Sequence, residues 1–234
     1  MQLMEAYAAC MACPVRSNSF CDAVPMSDLD SLGKARRLIR FNRRQTIVCE
    51  GAPATALFSI VSGVVKLYRS LADGRTQITG FRFPGEFFAA PHSGRYTTTV
   101  EALTSVEACC FPRSRLNRLS QRFPEIQTNL IEMNHQHLAA AENQIFLLGR
   151  KTAREKVASF LLWYREKLDQ EKISEDRRMS LPMTRTEVAD FLGLTTETVS
   201  RVLTGLAREK MLAIDKSHSI TLLDVASLRR ASGL

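Results

Sequence analysis

The sequence lacks several features that would assign it to large classes of protein. No run of about eighteen consecutive apolar residues occurs in its 234 positions, so we expect no membrane-spanning helix. The opening MQLMEAYAAC has neither the basic segment nor the long apolar core of a secretory signal, and we therefore expect a cytoplasmic protein. Thiols stay reduced in that compartment, so a disulfide is not the favoured role for the cysteines at the front of the chain.

Patterns typical of enzymes are also missing. The chain has no Walker phosphate-binding loop, no dinucleotide-binding glycine pattern and no recognisable Ser/His/Asp set. A cysteine nucleophile is the one enzymatic alternative, and the four scattered histidines give it little support. We therefore do not expect an enzyme.

The charge of the chain favours an anionic partner. It has 32 Lys and Arg against 24 Asp and Glu, a net charge of +8 and a pI of about 9.4. Nucleic acid is the commonest partner of such a protein, although a merely soluble basic protein has the same composition.

Three segments differ in their residue patterns, and together they indicate an α+β fold. Residues 36–112 contain short runs of β-branched and aromatic residues separated by glycines, which predicts an all-β sandwich or barrel-like roll. Asp73-Gly74 lies between two such runs and predicts a hairpin turn. Residues 150–234 form a third unit, helical at first and closed by a hairpin-like piece.

A long helix is predicted between these segments, because neither Gly nor Pro occurs in residues 125–148. Apolar and small residues recur along it at spacings of three and four, as in a coiled-coil seam through which two copies pair. A helix lying on the core of its own domain is the alternative. The predicted seam consists of Ile131, Asn134, Leu138, Ala141, Ile145 and Leu148.

The stretch MTRTEVADFLGLTTETVSR predicts a helix-turn-helix. Thr184 or Thr186 can cap a short helix that Gly193 ends, and a second helix follows after three or four residues. Val188, Ala189 and Leu192 are expected on the buried face. An ordinary pair of helices is the alternative.

The exposed residues of the second helix suit the reading of DNA bases. Glu197 can accept a hydrogen bond from cytosine, Arg201 can donate two to guanine, and Glu197 can also steer Arg201 from one turn away. Ser200 can bond a base or a phosphate, and Thr196 offers a methyl group to thymine. Residues expected at phosphates are Thr184, Arg185, Thr195 and Thr198.

Cysteines cluster near the front of the chain, in CMACPVRSNSFC. Cys10, Cys13 and Cys21 have the spacing C-x2-C-x7-C, which is compatible with zinc, a redox dithiol or an iron–sulfur cluster. Cys109 and Cys110 follow far downstream and should face opposite sides of a strand. Cys49 is expected to pack as a small core residue.

Two stretches of the sequence resemble the CRP/FNR superfamily of bacterial transcription regulators. IVCEGAPATALFSIVSG is similar to its β-roll signature, with Ser59 in place of the usual aliphatic residue. LGLTTETVSR resembles the recognition helix of the FNR and FixK branch, whose E-x-x-S-R falls on Glu197, Ser200 and Arg201. The resemblance extends along essentially the whole chain.

The resemblance implies a cyclic-nucleotide-binding-like β-roll, a long dimerisation helix and a C-terminal winged helix-turn-helix. The divisions it suggests are an N-terminal cysteine lobe (1–27), the β-roll (28–122), the dimerisation helix (123–149) and the DNA-binding domain (150–234). The expected partners are double-stranded DNA, RNA polymerase and a second copy of the chain. The expected targets are palindromes with TTGAT half-sites at anaerobic or microaerobic genes.

The resemblance also implies an oxygen-responsive [4Fe–4S] cluster held by Cys10, Cys13, Cys21 and Cys109, since ALTSVEACCFP matches the family stretch that bears the fourth ligand. A relative of the same fold without a cluster, controlled by expression or by thiol oxidation, is the alternative. Cyclic nucleotide is not expected as a ligand, because Ala90 and Tyr96-Thr97 stand where its Glu and Arg-Ser ligands are usual.

An acidic residue in the seam of FNR-like proteins can oppose dimerisation until a cluster forms. Here the seam position is Ala141, and Glu142 lies one residue away. We therefore hypothesise that the metal-free form of this chain dimerises more readily than a strongly gated sensor.

Overall fold

The computed structural model describes residues 8–88, 94–170, 178–215 and 219–233. Contacts between Cα atoms divide the chain into two compact units. The first contains the described residues of 8–75 and 79–141, and the second those of 76–78 and 142–233. Helices and strands occur in both, which confirms the α+β class.

The helices are α1 (described over residues 8–11), α2 (Leu29–Ala35), α3 (Arg113–Arg122), α4 (Glu125–Arg150), α5 (Ala153–Gln170), α6 (Arg185–Leu192), α7 (Thr196–Arg208) and α8 (Val225–Ala231). The strands are β1 (Arg37–Phe41), β2 (Thr46–Val48), β3 (Ala56–Ser62), β4 (Val65–Ser70), β5 (Thr76–Arg82), β6 (Phe87–Phe88), β7 (Thr99–Ala102), β8 (Val106–Pro112), β9 (Arg178–Met179), β10 (Leu212–Ile214) and β11 (Ile220–Leu222). Three short 3-10 turns lie at Arg16–Asn18, Phe20–Ala23 and Met26–Asp28.

Two four-stranded sheets form the β-roll. Their strand orders are β1-β8-β3-β6 and β2-β7-β4-β5. One core cluster draws side chains from both sheets, among them Ile60 of β3 and Val65 and Val100 of β4 and β7, all nearly fully buried. A shared core between two sheets is what the alternation of short strands and glycines predicted.

The hairpin predicted at Asp73-Gly74 is present. Gly74 has a φ of +87°, a left-handed conformation that favours glycine. The Arg75 N–H donates to the Asp73 carboxylate over 3.1 Å, which fixes the turn from the side.

A second core joins the N-terminal segment to the roll. Phe20 and Phe111 are 0% exposed, and their rings meet edge to face at 5.2 Å. Ile126, in the first turn of α4, belongs to the same cluster. The N-terminal segment is therefore held to β8 and to the start of the long helix by apolar packing.

The neighbouring cysteines of β8 face different cores, as the strand alternation predicted. Cys109 belongs to the cluster of the N-terminal segment, whereas Cys110 packs against the cluster of the roll. The expectation for Cys49 was wrong: it is exposed, because it lies just past Val48, where β2 has ended.

The long helix α4 runs from Glu125 to Arg150, where the dimerisation helix was predicted over residues 123–149. Ile131, Leu138 and Ile145 recur every seven residues along it, with exposures of 58%, 57% and 71%. Asn134 and Ala141 are exposed and Leu148 is half-buried. Most of the predicted seam is thus uncovered by its own chain, which counts against the alternative of a helix lying on its own core.

The second unit has the elements of a winged helix-turn-helix. Helices α6 and α7 pack together beside α5, and the three-stranded sheet β10-β11-β9 supplies the wing. Phe160 of α5 meets Phe191 of α6 at 6.0 Å between ring centroids. Among the described residues, no helix combines the length and apolar content needed to cross a bilayer.

Candidate DNA-binding surface and cysteine cavity

Side-chain caps and one glycine shape the helix-turn-helix. The Thr184 hydroxyl accepts the Glu187 N–H at 3.2 Å, while the Glu187 carboxylate accepts the Thr184 N–H at 2.8 Å, forming a reciprocal capping box. Gly193 ends α6 with a φ of +60°. Thr195 then begins α7 by accepting the Thr198 N–H at 3.1 Å. The predicted cap and turn are confirmed.

Helix α7 has one buried and one open face. Val199, Leu203 and Leu206 are 0%, 5% and 0% exposed, so this face anchors the helix in the unit. The residues predicted to read bases lie on the opposite side: Thr196, Glu197 and Arg201 are exposed and Ser200 is half-buried. Val188, Ala189 and Leu192 of α6 are buried as predicted.

Arg185 lies beside the base-reading residues rather than apart from them. Its Nη1 donates to the Ser200 hydroxyl at 3.1 Å, so a residue of α6 and one of α7 share a hydrogen bond on the open surface. Among the described ion pairs none joins Glu197 to Arg201, so the predicted steering of Arg201 is absent here and both heads reach solvent.

The threonines predicted at phosphates occupy the beginnings of the two helices. The Thr195 and Thr198 hydroxyls are 2.8 Å apart, and Thr184 serves the capping box. The positive end of the helix dipole favours an anion at such a place. Their phosphate contacts stay a prediction.

Four cysteines from distant parts of the chain line one cavity of about 190 Å³. Cys10 and Cys109 are 4% and 8% exposed, and Cys13 and Cys21 are half-buried. They are the four that the sequence analysis singled out as a ligand set. All six cysteines of the chain are free thiols.

Short local structures bring the N-terminal thiols to this cavity. Helix α1 carries Cys10, and the Ser19 hydroxyl accepts the Cys21 N–H at 3.3 Å at the start of a 3-10 turn. Strand β8 supplies Cys109 from the roll. The tight turns fold the seven residues between Cys13 and Cys21 back on themselves, so that both thiols reach the same cavity.

Burial controls the protonation of the thiols. It raises the pKa of Cys21 well above the usual range, against a smaller opposing effect of Ser19. It raises the pKa of Cys109 to about 11, although the Arg36 guanidinium opposes the shift. Both thiols are therefore protonated at neutral pH in the metal-free chain.

Arg36 brings a cation into hydrogen-bond contact with a thiol of the cavity. Its Nε donates to the Cys10 sulfur at 3.2 Å. Burial disfavours its charge, yet the neighbouring Cys109 and Cys10 raise the pKa of the guanidinium overall. Sequence reasoning missed this residue because it is one of four basic residues in KARRLIR, and the pattern does not tell which one faces the cysteines.

In the described part of the chain, no three His, Cys, Asp or Glu side chains lie close enough to share one metal ion. A single zinc ion needs its sulfur ligands at about 2.3 Å, all around one point. A [4Fe–4S] cluster spreads its four thiolates over separate irons, and its ligands need not converge on one point.

The described residues at the positions of a cyclic nucleotide site form hydrogen bonds with backbone carbonyls of the chain itself. The Tyr96 hydroxyl is buried and donates to the Ala56 carbonyl at 3.0 Å. Arg95 donates to the Gly51 carbonyl at 2.5 Å. Ala90 lies outside the described residues.

Comparison with protein families matches both units. The model of the cyclic nucleotide-binding domain matches residues 38–123, and that of the Crp-like helix-turn-helix domain matches residues 155–231. Proteins of this architecture are transcription regulators rather than enzymes, as the missing catalytic patterns led us to expect.

Individual relatives extend over nearly the whole chain. The nitrogen fixation regulation protein FixK of Bradyrhizobium diazoefficiens is 36% identical over 93% of this chain and 91% of its own length. The transcriptional activator protein FnrL of Cereibacter sphaeroides is 33% identical over 96% of this chain and 92% of its own. The structure of FixK2 from Bradyrhizobium japonicum superposes with a TM-score of 0.77 at 32% identity, covering 84% of this chain and 96% of that one. The chain belongs to the CRP/FNR family of DNA-binding transcription regulators, in its FNR/FixK branch.

Proposed function

We propose that the chain is a homodimeric transcription activator whose DNA binding responds to oxygen through a [4Fe–4S] cluster on Cys10, Cys13, Cys21 and Cys109. The observation that carries the proposal is the shared cavity of these four thiols, which come from segments roughly ninety residues apart. When bound, a cluster supplies redox chemistry with oxygen that zinc does not have.

The donor set fits such a cluster. Four thiols are present, two of them almost fully buried, and the cavity between them has apolar walls that include Leu32 and Val61. Because Cys21 and Cys109 are protonated in the metal-free chain, loading the site must release their protons, and uptake should weaken at low pH.

The lobe that bears three of the ligands is packed against the dimerisation helix. Ile126 of α4 is 0% exposed within the same core as Phe20. The Phe87 ring lies 6.3 Å from Phe20 and 5.3 Å from His137, three turns further along α4. Fixing or freeing the lobe therefore changes the support of the helix through which two copies would pair.

Pairing makes DNA binding sensitive to this support. The exposed Ile131, Leu138 and Ile145 form an apolar row that a second copy can bury. A palindrome is bound by two recognition helices at once, so a modest shift of the monomer–dimer balance becomes a large change in occupancy.

The open face of α7 supports an FNR-type target. Glu197, Ser200 and Arg201 carry the E-x-x-S-R pattern on the solvent side of the helix. We propose palindromes with TTGAT half-sites at anaerobic or microaerobic genes, with RNA polymerase as the partner in activation. Cyclic nucleotide is not part of the proposal, since Tyr96 and Arg95 are bonded to backbone carbonyls.

The test is anaerobic purification followed by absorbance near 400 nm, iron and sulfide assay, and binding to a TTGAT palindrome before and after exposure to air. We expect four irons per chain, and air to abolish both the absorbance and the specific binding. Cys109→Ala should lose the iron, whereas its neighbour Cys110→Ala should keep it. An iron-free protein that binds the palindrome equally with and without air would contradict the proposal and favour a cluster-free regulator.

A further inference from the structure

Among the described residues, one cation that lines the cysteine cavity forms no ion pair with a carboxylate. The charged residues that line it are Arg16, Arg36 and Glu107. Arg16 pairs with Asp22 at 3.6 Å, and Glu107 pairs with an arginine of β1 at 2.5 Å. In the stretches that the structure describes, no carboxylate pairs with Arg36, and its hydrogen bond goes to a sulfur.

Two rigid elements fix the position of Arg36. It lies between the end of α2 at Ala35 and the start of β1 at Arg37. In the pairing of β1 with β8, Arg37 stands opposite Cys110 and Leu38 stands opposite Cys109. Because alternate residues share a face, Arg36 and Leu38 point to the side of Cys109, and Arg37 points to the side of Cys110.

We propose that Arg36 is a charge-tuning and positioning residue of the cysteine site, whose guanidinium holds the sulfurs of Cys10 and Cys109 and stabilises the negative charge of a thiolate-bound cluster. The inference rests on the proposed cluster and adds a residue to it. Four thiolates concentrate negative charge in a half-buried cavity, where one unneutralised cation has a large effect.

The expected consequence is a cluster that holds its electrons more tightly. The reduction potential of an iron–sulfur cluster depends on net charge and on hydrogen bonds to its sulfurs. A cation that donates to a ligand sulfur favours the reduced form and so raises the potential. Arg36 would thus slow the attack of oxygen and set the oxygen level at which the regulator responds.

The test compares Arg36→Gln, Arg36→Lys and the matched control Arg37→Gln in the anaerobically loaded full chain. For Arg36→Gln we expect a more negative midpoint potential, measured by a redox titration that electron paramagnetic resonance monitors. We also expect the 400 nm absorbance to be lost in air roughly tenfold faster, because one charge-assisted hydrogen bond contributes about that factor. Arg36→Lys keeps the charge and should restore most of both values. Arg37→Gln removes the same charge on the other face and should match the wild type.

Each outcome decides one question. A loaded Arg36→Gln with the potential and oxygen sensitivity of the wild type overturns the inference, as does an Arg37→Gln that changes by the same amount. If Arg36→Gln takes up no iron while Arg36→Lys and Arg37→Gln load fully, the cation is needed to assemble the site and the inference stands. A wild-type chain that takes up neither iron nor sulfide refutes the proposed cluster instead.

Discussion

Phe20→Ala should release the N-terminal lobe without unfolding the rest of the chain. Phe20 is 0% exposed and contacts the rings of Phe111 and Phe87 at 5.2 and 6.3 Å. Truncating a buried phenylalanine to alanine costs about 3–5 kcal/mol, because apolar contacts are lost and a cavity remains. The lower value alone raises the population of the opened lobe by more than about 100-fold.

The assay is hydrogen exchange of the metal-free protein, read in peptides from residues 8–28, together with the alkylation rate of the half-buried Cys21 thiol. Both should rise by about two orders of magnitude in Phe20→Ala, while peptides from β3 and α7 keep their protection. Phe20→Leu keeps most of the volume and should cost less than about 1.5 kcal/mol. Exchange and alkylation within twofold of the wild type in Phe20→Ala would show that the lobe is held by something other than this ring.

Three further predictions concern DNA, pairing and pH. Arg201→Ala should lose about 1–3 kcal/mol of binding free energy per half-site on a TTGAT palindrome but nothing on random DNA. Arg185→Ala should instead weaken binding to both DNAs alike. Equal losses on both DNAs for Arg201→Ala in a competition gel shift would contradict the assignment. Leu138→Glu should keep the fold, since Leu138 is 57% exposed, but should sediment as a monomer. The metal-free wild type should contain dimer. A strictly monomeric metal-free wild type would refute the hypothesis that Ala141 in the seam lets the metal-free form dimerise readily. The pKa of Cys109 is about 11 in the folded chain and near 9.0 for an unfolded thiol, so the unfolded chain loses this proton first as pH rises. The urea midpoint of the metal-free protein should therefore fall between pH 9.0 and about 11. The fall should be less steep in Cys109→Ala.

Local signals in the sequence were sufficient for the helix-turn-helix. The capping threonine, the glycine at the turn and the apolar spacing all lie within about twenty residues, so no distant contact decides them. The hairpin at Asp73-Gly74 was predictable for the same reason. The exposed face of α7 followed directly, because a helix with one buried stripe must present the rest to solvent.

Features that depend on distant contacts were less accessible. Cys49 looks like a core residue beside Ile47 and Val48, but the strand ends before it and the chain leaves the core. The roles of Arg36 and Phe20 depend on how the N-terminal segment folds onto β8, more than seventy positions away. The spacing of the cysteines left several kinds of site open, and the resemblance to the family implied the ligand set. The position of Arg36 beside that set became visible only in the fold.

The separation of the cysteines along the chain has a thermodynamic consequence. A bridge among the thiols of the cavity would close a loop of roughly ninety residues between Cys21 and Cys109, which contains most of the roll. Cross-links of that span stabilise a fold by about 4–5 kcal/mol in the chain-entropy model, because they restrict the unfolded ensemble. A bridge in the cysteine cavity would therefore act as a removable cross-link. Its loss would lower the melting temperature of the roll, while the melting temperature of the winged helix-turn-helix would not change.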